Sequence, residues 1–91
     1  MKPKALEAFI GKEVVLDTRG PLIFLGRLSE VDEDIFTLQD CDVHDSSEAQ
    51  RTKEIYILEA RKTGIKTNRR RVLVRAAEVV SISLLEDIIE Y

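Results

Sequence analysis

Gly26 stands in the middle of an otherwise strand-like run, Leu22–Val31 (LIFLGRLSEV). Glycine weakens a strand because it has no side chain to pack, so its presence there marks a sharp bend or a close approach by another backbone. The corner of a small β-barrel makes that demand. The flanking sequence is punctuated to match: Glu13–Thr18 (EVVLDT) reads as a strand, Arg19-Gly20-Pro21 as a turn, Asp32-Glu33-Asp34 as a tight polar turn and 35–43 as a third strand. Further on, 70–75 and 78–83 are two more strands with barely any turn between them. At the start, Pro3 suits a first helical turn, Leu6 and Phe9 are three apart and Gly11 lies just beyond, which predicts one short helix over 3–9. A helix, a bent run of short strands and a strand pair closed by a minimal turn describe a mostly β chain folded as a small five-stranded barrel.

The middle is more ambiguous. Residues 46–51 (SSEAQR) form a polar loop, followed by TKEIYILEARKTG. Thr52 can cap a helix, Gly64 sits where a terminating glycine belongs, and Ala, Leu, Glu, Lys and Arg between them are good helix formers. EIYIL also alternates like a short strand, and periodicity alone does not separate the two. The capping signals favour a helix over 53–63. In such a helix Ile55 and Leu58 share one face while Tyr56 and Ile57 need cover elsewhere, so a neighbouring subunit or another protein is an expected partner for 53–63.

Composition bounds the rest. Ninety-one residues, 44% hydrophobic and 34% charged, suit a single domain with one small core, and a domain this small often gains burial by oligomerising. One cysteine, Cys41, excludes an internal disulfide. The opening MKPKALEAFIGKE is charged throughout, unlike a signal peptide, and no apolar run approaches the roughly 20 residues that cross a bilayer. A soluble, cytoplasmic protein with no membrane contact is the expectation.

Charge is segregated. From Glu30 to Glu48 there are eight acidic residues and no Lys or Arg, whereas from Arg61 to Arg75 there are seven Lys or Arg and no acid. Such blocks can steer an anionic partner, match two copies of the subunit, or simply be two solvated faces.

Two short motifs link the strands to a family. Gly26, Leu28, Val31 and Asp32 follow the pattern glycine, any residue, leucine, two residues, an apolar residue, aspartate. VLVRAAEVVSI then follows an apolar pair, arginine, a short turn and another apolar strand, with Arg75 at the arginine and Ala76 where a glycine is usual. With these motifs the chain resembles the Sm and Sm-like (LSm) proteins, over residues 3–43 and 70–84, with 46–69 as an insertion between the third and fourth strands. The resemblance implies a five-stranded Sm-like (SH3-like) barrel, a homo-oligomeric ring joined through the fourth and fifth strands, and single-stranded RNA as a partner. It implies a uridine pocket only in part. The base-stacking position is Asp34, the usual asparagine is Phe36, and the acidic position after the arginine and glycine is Ala77.

The candidate RNA contacts are therefore Arg75, with Phe36 as a stacking ring and Arg69, Arg70, Arg71 and Asn68 along the basic stretch. Alternation puts Arg69 and Arg71 on one side of a strand and Arg70 on the other, so the three cannot serve one phosphate path. The competing expectation is that Arg75 pairs with Asp32 and ties the two motif turns together. In a ring the Arg75 copies would face the central opening, and such a circle of like charges requires carboxylates or an anion opposite it.

Other constellations point to less. Asp40, Asp42 and His44 alternate as a solvated acidic face would, with Cys41 between them packed in the core, and no second Cys or His cluster completes a metal site. There is one histidine and no nucleophile elbow, phosphate-binding glycine loop or HExxH. The expectations are no enzyme, no cofactor and no metal; a ring-forming scaffold with weak RNA binding; and, as the alternative, a dedicated RNA-binding module using 61–75.

Overall fold

The computed structural model describes residues 4–47 and 52–90. Five strands, Glu13–Thr18 (β1), Leu22–Val31 (β2), Ile35–Asp45 (β3), Arg69–Arg75 (β4) and Val79–Leu84 (β5), form one antiparallel sheet in the order β4-β3-β2-β1-β5. β1 and β2 have the bounds expected of them, and β3 runs on to Asp45. A 3-10 turn, Ala76–Glu78, joins β4 to β5, and another, Leu85–Asp87, follows β5. Val72 and Val74 of β4 and Val79, Ile82 and Leu84 of β5 all meet the cluster Val14, Leu16, Leu28, Val31, Phe36, Leu38 and Cys41. A sheet whose two edges share one core has curled into a barrel.

The curl has local causes. Register shifts occur in the β2–β3 ladder between Leu25 and Arg27 and between Leu28 and Glu30, and in the β1–β5 ladder between Asp17 and Thr18. Such bulges bend a strand and increase its twist. Gly26 is buried at the first of them, where a side chain would run into Cys41. Close backbone approach is the reason for glycine.

The expected N-terminal helix is a 3-10 helix, Lys4–Phe9; Pro3 lies outside the described residues, as does part of the 46–51 loop. Leu6 and Phe9 cover the barrel core, and the segment is sealed to β2 by the Gly11 N–H donating to the Leu28 carbonyl at 2.7 Å.

The insertion holds one α-helix, Lys53–Thr63 (α1), as its caps indicate: the Ile55 N–H donates to the Thr52 hydroxyl, and Gly64, at φ +93°, donates its N–H to the Ala60 carbonyl. It lies on the outer surface of the barrel, where Ala60, Tyr56 and Ile57 form a second core with Val15, Ile23, Leu25, Leu85, Ile65 and Ile88. This corrects the expected division of its faces. Tyr56 and Ile57 are covered by the same chain, and Ile55 is the exposed one, at 49%. Lys53 sets the rotation: its Nζ donates to Asp17 Oδ1 at 2.6 Å, the Gly20 carbonyl at 2.9 Å and the Thr18 carbonyl at 3.3 Å. With residue 53 against the barrel, residues 56, 57 and 60 share its side of the helix. Tyr56 also stacks on His44 of β3, ring centroids 3.7 Å apart.

Candidate nucleic-acid interface

The two motif turns meet at one end of the barrel. Asp32 Oδ1 accepts the N–H groups of Asp34 and Ile35, both at 2.8 Å, and the Asp32 N–H donates to the Ile35 carbonyl. These amide hydrogen bonds hold the Asp32 carboxyl below its ordinary value. The neighbouring turn docks on it through the Ala76 N–H, which donates to the Asp34 carbonyl at 2.8 Å. On the far side Arg19 completes the clamp, its Nε donating to the Ala77 carbonyl and its backbone N–H to the Glu78 carbonyl. Glu33, Asp34, Ile35, Arg75, Ala76 and Ala77 line the shallow hollow that results.

The expected pairing of Asp32 with Arg75 is not among the ion pairs of the described residues, which join Arg27 to Asp40, Lys53 to Asp17 and Lys62 to Glu90. Two backbone amides have taken the place of the guanidinium at Asp32 Oδ1. The motif aspartate shapes its own turn, and the turns are tied by main chain. Arg75 is exposed, opposite Ile35 in the β3–β4 ladder.

Two other candidates change role. Phe36 is 6% exposed and packs in the barrel core, since the strand alternation that pairs it with Val74 turns its ring inward. It offers no stacking face. Asn68 closes the exit of the insertion onto β3: its Nδ2 donates to Asp42 Oδ1 at 2.8 Å and to the Val43 carbonyl, and its Oδ1 accepts the Val43 N–H. The side chain is committed to that clamp.

Asp42 is not on a solvated acidic face. It is 4% exposed, and burial raises its carboxyl above the ordinary value, with the charges of His44 and Lys66 pulling the other way. Asp40 stays exposed and pairs with Arg27 at 3.0 Å. The difference arises at Asp40 itself, whose φ of +49° interrupts the alternation of β3 beside the register shift. Cys41 packs in the core as expected, and burial pushes its thiol up. His44, whose Nε2 is enclosed without a hydrogen-bond partner among the described residues, stacks on Tyr56.

Arg69, Arg70 and Arg71 are all exposed. Arg69 donates to the Asn68 carbonyl, and among the described residues no carboxylate pairs with these three or with Arg75.

Among solved structures, the chain is similar to the Sm protein of Pyrococcus abyssii, determined in complex with a uridine heptamer. The TM-score is 0.62 at 17% identity, over 92% of this chain and 99% of that one. The fold is Sm-like. A chain in the structure of the NatC complex bound to CoA has it too, with a TM-score of 0.56 at 19% identity over 92% of this chain and 88% of that one. No family model matches the sequence, and no curated protein matches it. The two motif turns are both present and docked, and Asp34, at the position expected from the resemblance to stack a base, is exposed there. No helix among the described residues is long and apolar enough to cross a membrane.

Proposed function

We propose that this Sm-like chain forms a homo-oligomeric ring by pairing β4 of one subunit with β5 of the next, and serves as a cytoplasmic scaffold with weak affinity for single-stranded RNA. The observation that carries the reading is the state of the two sheet edges. β4 and β5 are outermost in the strand order, neither contains proline, and each exposes a large apolar side chain, Leu73 at 55% and Val80 at 59%. Open edges of this kind recruit another chain unless they are blocked, and a head-to-tail contact repeated by rotation closes into a ring. The role is assembly and binding, without catalysis. Light scattering at micromolar concentration tests it; a monomeric mass defeats it.

RNA is the proposed partner because the similar Pyrococcus protein was determined with a uridine heptamer and because the arginines from 69 to 75 lack carboxylate partners among the described residues. Weak affinity follows from the turn hollow, where one cation shares the space with Glu33 and Asp34. The alternative reading, a dedicated RNA-binding module using 61–75, gains weight from the same arginines. Tight, salt-sensitive retention of single-stranded RNA would select it over the scaffold.

A further inference from the structure

Arg69, Arg71, Leu73 and Arg75 occupy alternate positions of β4 and so share one face of the sheet. Of the residues between them, Val72 and Val74 turn inward to the barrel core, while Arg70 is exposed. The shared face is open. Helix α1 and the segment after β5 cover Val15, Ile23 and Leu25, on the outer side of β1 and the first half of β2, whereas Leu73 remains 55% exposed.

Among the described residues no carboxylate is paired with the arginines of this face. Opposite Arg75, Leu73, Arg71 and Arg69 in the ladder stand Ile35, Thr37, Gln39 and Cys41, none of them a carboxylate. The acids nearby on β3 are engaged elsewhere, Asp40 with Arg27 and Asp42, buried, with Asn68. In a chain with 17 acidic residues against 14 basic ones, a row of three arginines facing neutral ladder partners is a positive strip with no paired counter-charge among the described residues.

We infer that this outward face of β4 holds the backbone of a single-stranded nucleic acid, with Arg69 and Arg71 on adjacent phosphates and Arg75 on a further one. The inference rests on the RNA reading above and moves its main contact from the turn hollow to the strand. Alternate residues of a strand are about 6.6 Å apart, comparable with the step between phosphates of an extended single strand. Arginine suits the task because its planar fork takes phosphate oxygens in pairs. Ring formation leaves the site free, since strand pairing uses the backbone groups in the plane of the sheet and these side chains stand perpendicular to it. A contact made through phosphates carries little sequence preference. Three of them give a salt slope of roughly −2, at about −0.7 per phosphate on a single strand.

The test is fluorescence anisotropy of labelled oligo-U, oligo-A and a mixed-sequence single-stranded RNA over a salt series. The proteins compared are the wild type, Arg69→Gln/Arg71→Gln and Arg75→Ala, with melting curves to confirm folding. The double variant is expected to lose at least about tenfold in affinity on all three RNAs and to flatten the salt slope by about 1.4. If it fails to fold, Arg71→Gln alone is expected to show about half of that change in slope. Undiminished binding by the double variant, with loss in Arg75→Ala, overturns the strand site and leaves the RNA reading standing. No binding of any RNA by the wild type overturns both. Equal binding of a poly-glutamate peptide at the same salt overturns the assignment to nucleic acid.

Discussion

A Cβ placed on Gly26 lies 2.6 Å from Cys41 Cβ and 3.1 Å from Cys41 Cα. No real side chain tolerates the first distance, and the second involves backbone, so β2 and β3 can cross this closely only with glycine at position 26. The approach coincides with the bulge that bends the sheet.

Gly26→Ala is therefore expected to destabilise the fold by about 1–3 kcal/mol, the usual cost of forcing extra volume into a packed core. Cys41→Ala keeps the Cβ and should not relieve the clash. Denaturant unfolding of Gly26→Ala with and without Cys41→Ala measures this. A midpoint for Gly26→Ala equal to the wild type would mean that the strands separate without cost.

The helix gives a second expectation. Ile57→Ser places a hydroxyl against Val15, Ile23 and Leu25 and should cost about 1–3 kcal/mol while detaching α1. Ile55→Ser, on the exposed side, should stay within about 0.5 kcal/mol. Thermal melts with far-ultraviolet dichroism at dilute concentration separate the two. Equal effects would mean that α1 is rotated from the position described.

Two carboxyls predict opposite pH dependences in adjoining windows. Burial raises Asp42 above 3.8, so between its folded value and 3.8 the folded chain binds more proton than the unfolded one, and stability rises as pH falls through that interval. Asp32 is held below 3.8 by two amides, so its contribution is complete above 3.8 and is lost as pH falls from there through its folded value. Subtracting the Asp42→Asn profile from the wild type across mildly acidic pH isolates the first term. A difference that does not vary with pH would contradict it.

Much of the architecture was legible because it rests on local chemistry. Thr52 and Gly64 bound α1 through hydrogen bonds made within one turn of the chain, and Gly26 marks the bend because only a residue without Cβ fits. Apart from Asp32, which the amides of its own turn capture, the misreadings concern long-range geometry. The alternation expected through Asp40, Asp42 and His44 breaks at the positive φ of Asp40 and the nearby register shift, which follow from how β2 crosses β3. The buried face of α1 is chosen by Lys53 reaching Asp17, 36 residues away, and by Tyr56 meeting His44. Within the candidate site, Arg75 and the exposed arginines of β4 stood out by type and spacing, and their alternation was readable. The face that stays open was not, because it depends on where α1 and Leu85 settle.

Arg75 itself yields a sharper expectation than its motif position does. Exposed and without an ion pair among the described residues, it should contribute little to the stability of a single subunit, and Arg75→Ala should melt within a few degrees of the wild type. A loss of 10 °C or more, roughly 1.5–2.5 kcal/mol for a domain of this size, would restore the structural role that a pairing with Asp32 implied.

The proposed ring makes the last prediction, and it turns on the β5 edge. Val80 is 59% exposed beside the register shift in the β1–β5 ladder, where Thr18 pairs with Val79 and Asp17 with Ser81. It has no assigned partner on β1, so replacing it should disturb the ladder of its own subunit little. Lysine on an exposed edge is a usual block to pairing with another chain. Val80→Lys should therefore leave the dichroism spectrum and the subunit melt close to wild type while shifting the light-scattering mass from oligomer towards monomer. Leu73→Lys, on the β4 edge, should do the same, because a heterologous contact fails from either side. If both variants keep the wild-type oligomer mass, the subunits are joined elsewhere, and the exposed Ile55 side of α1 becomes the surface to test next.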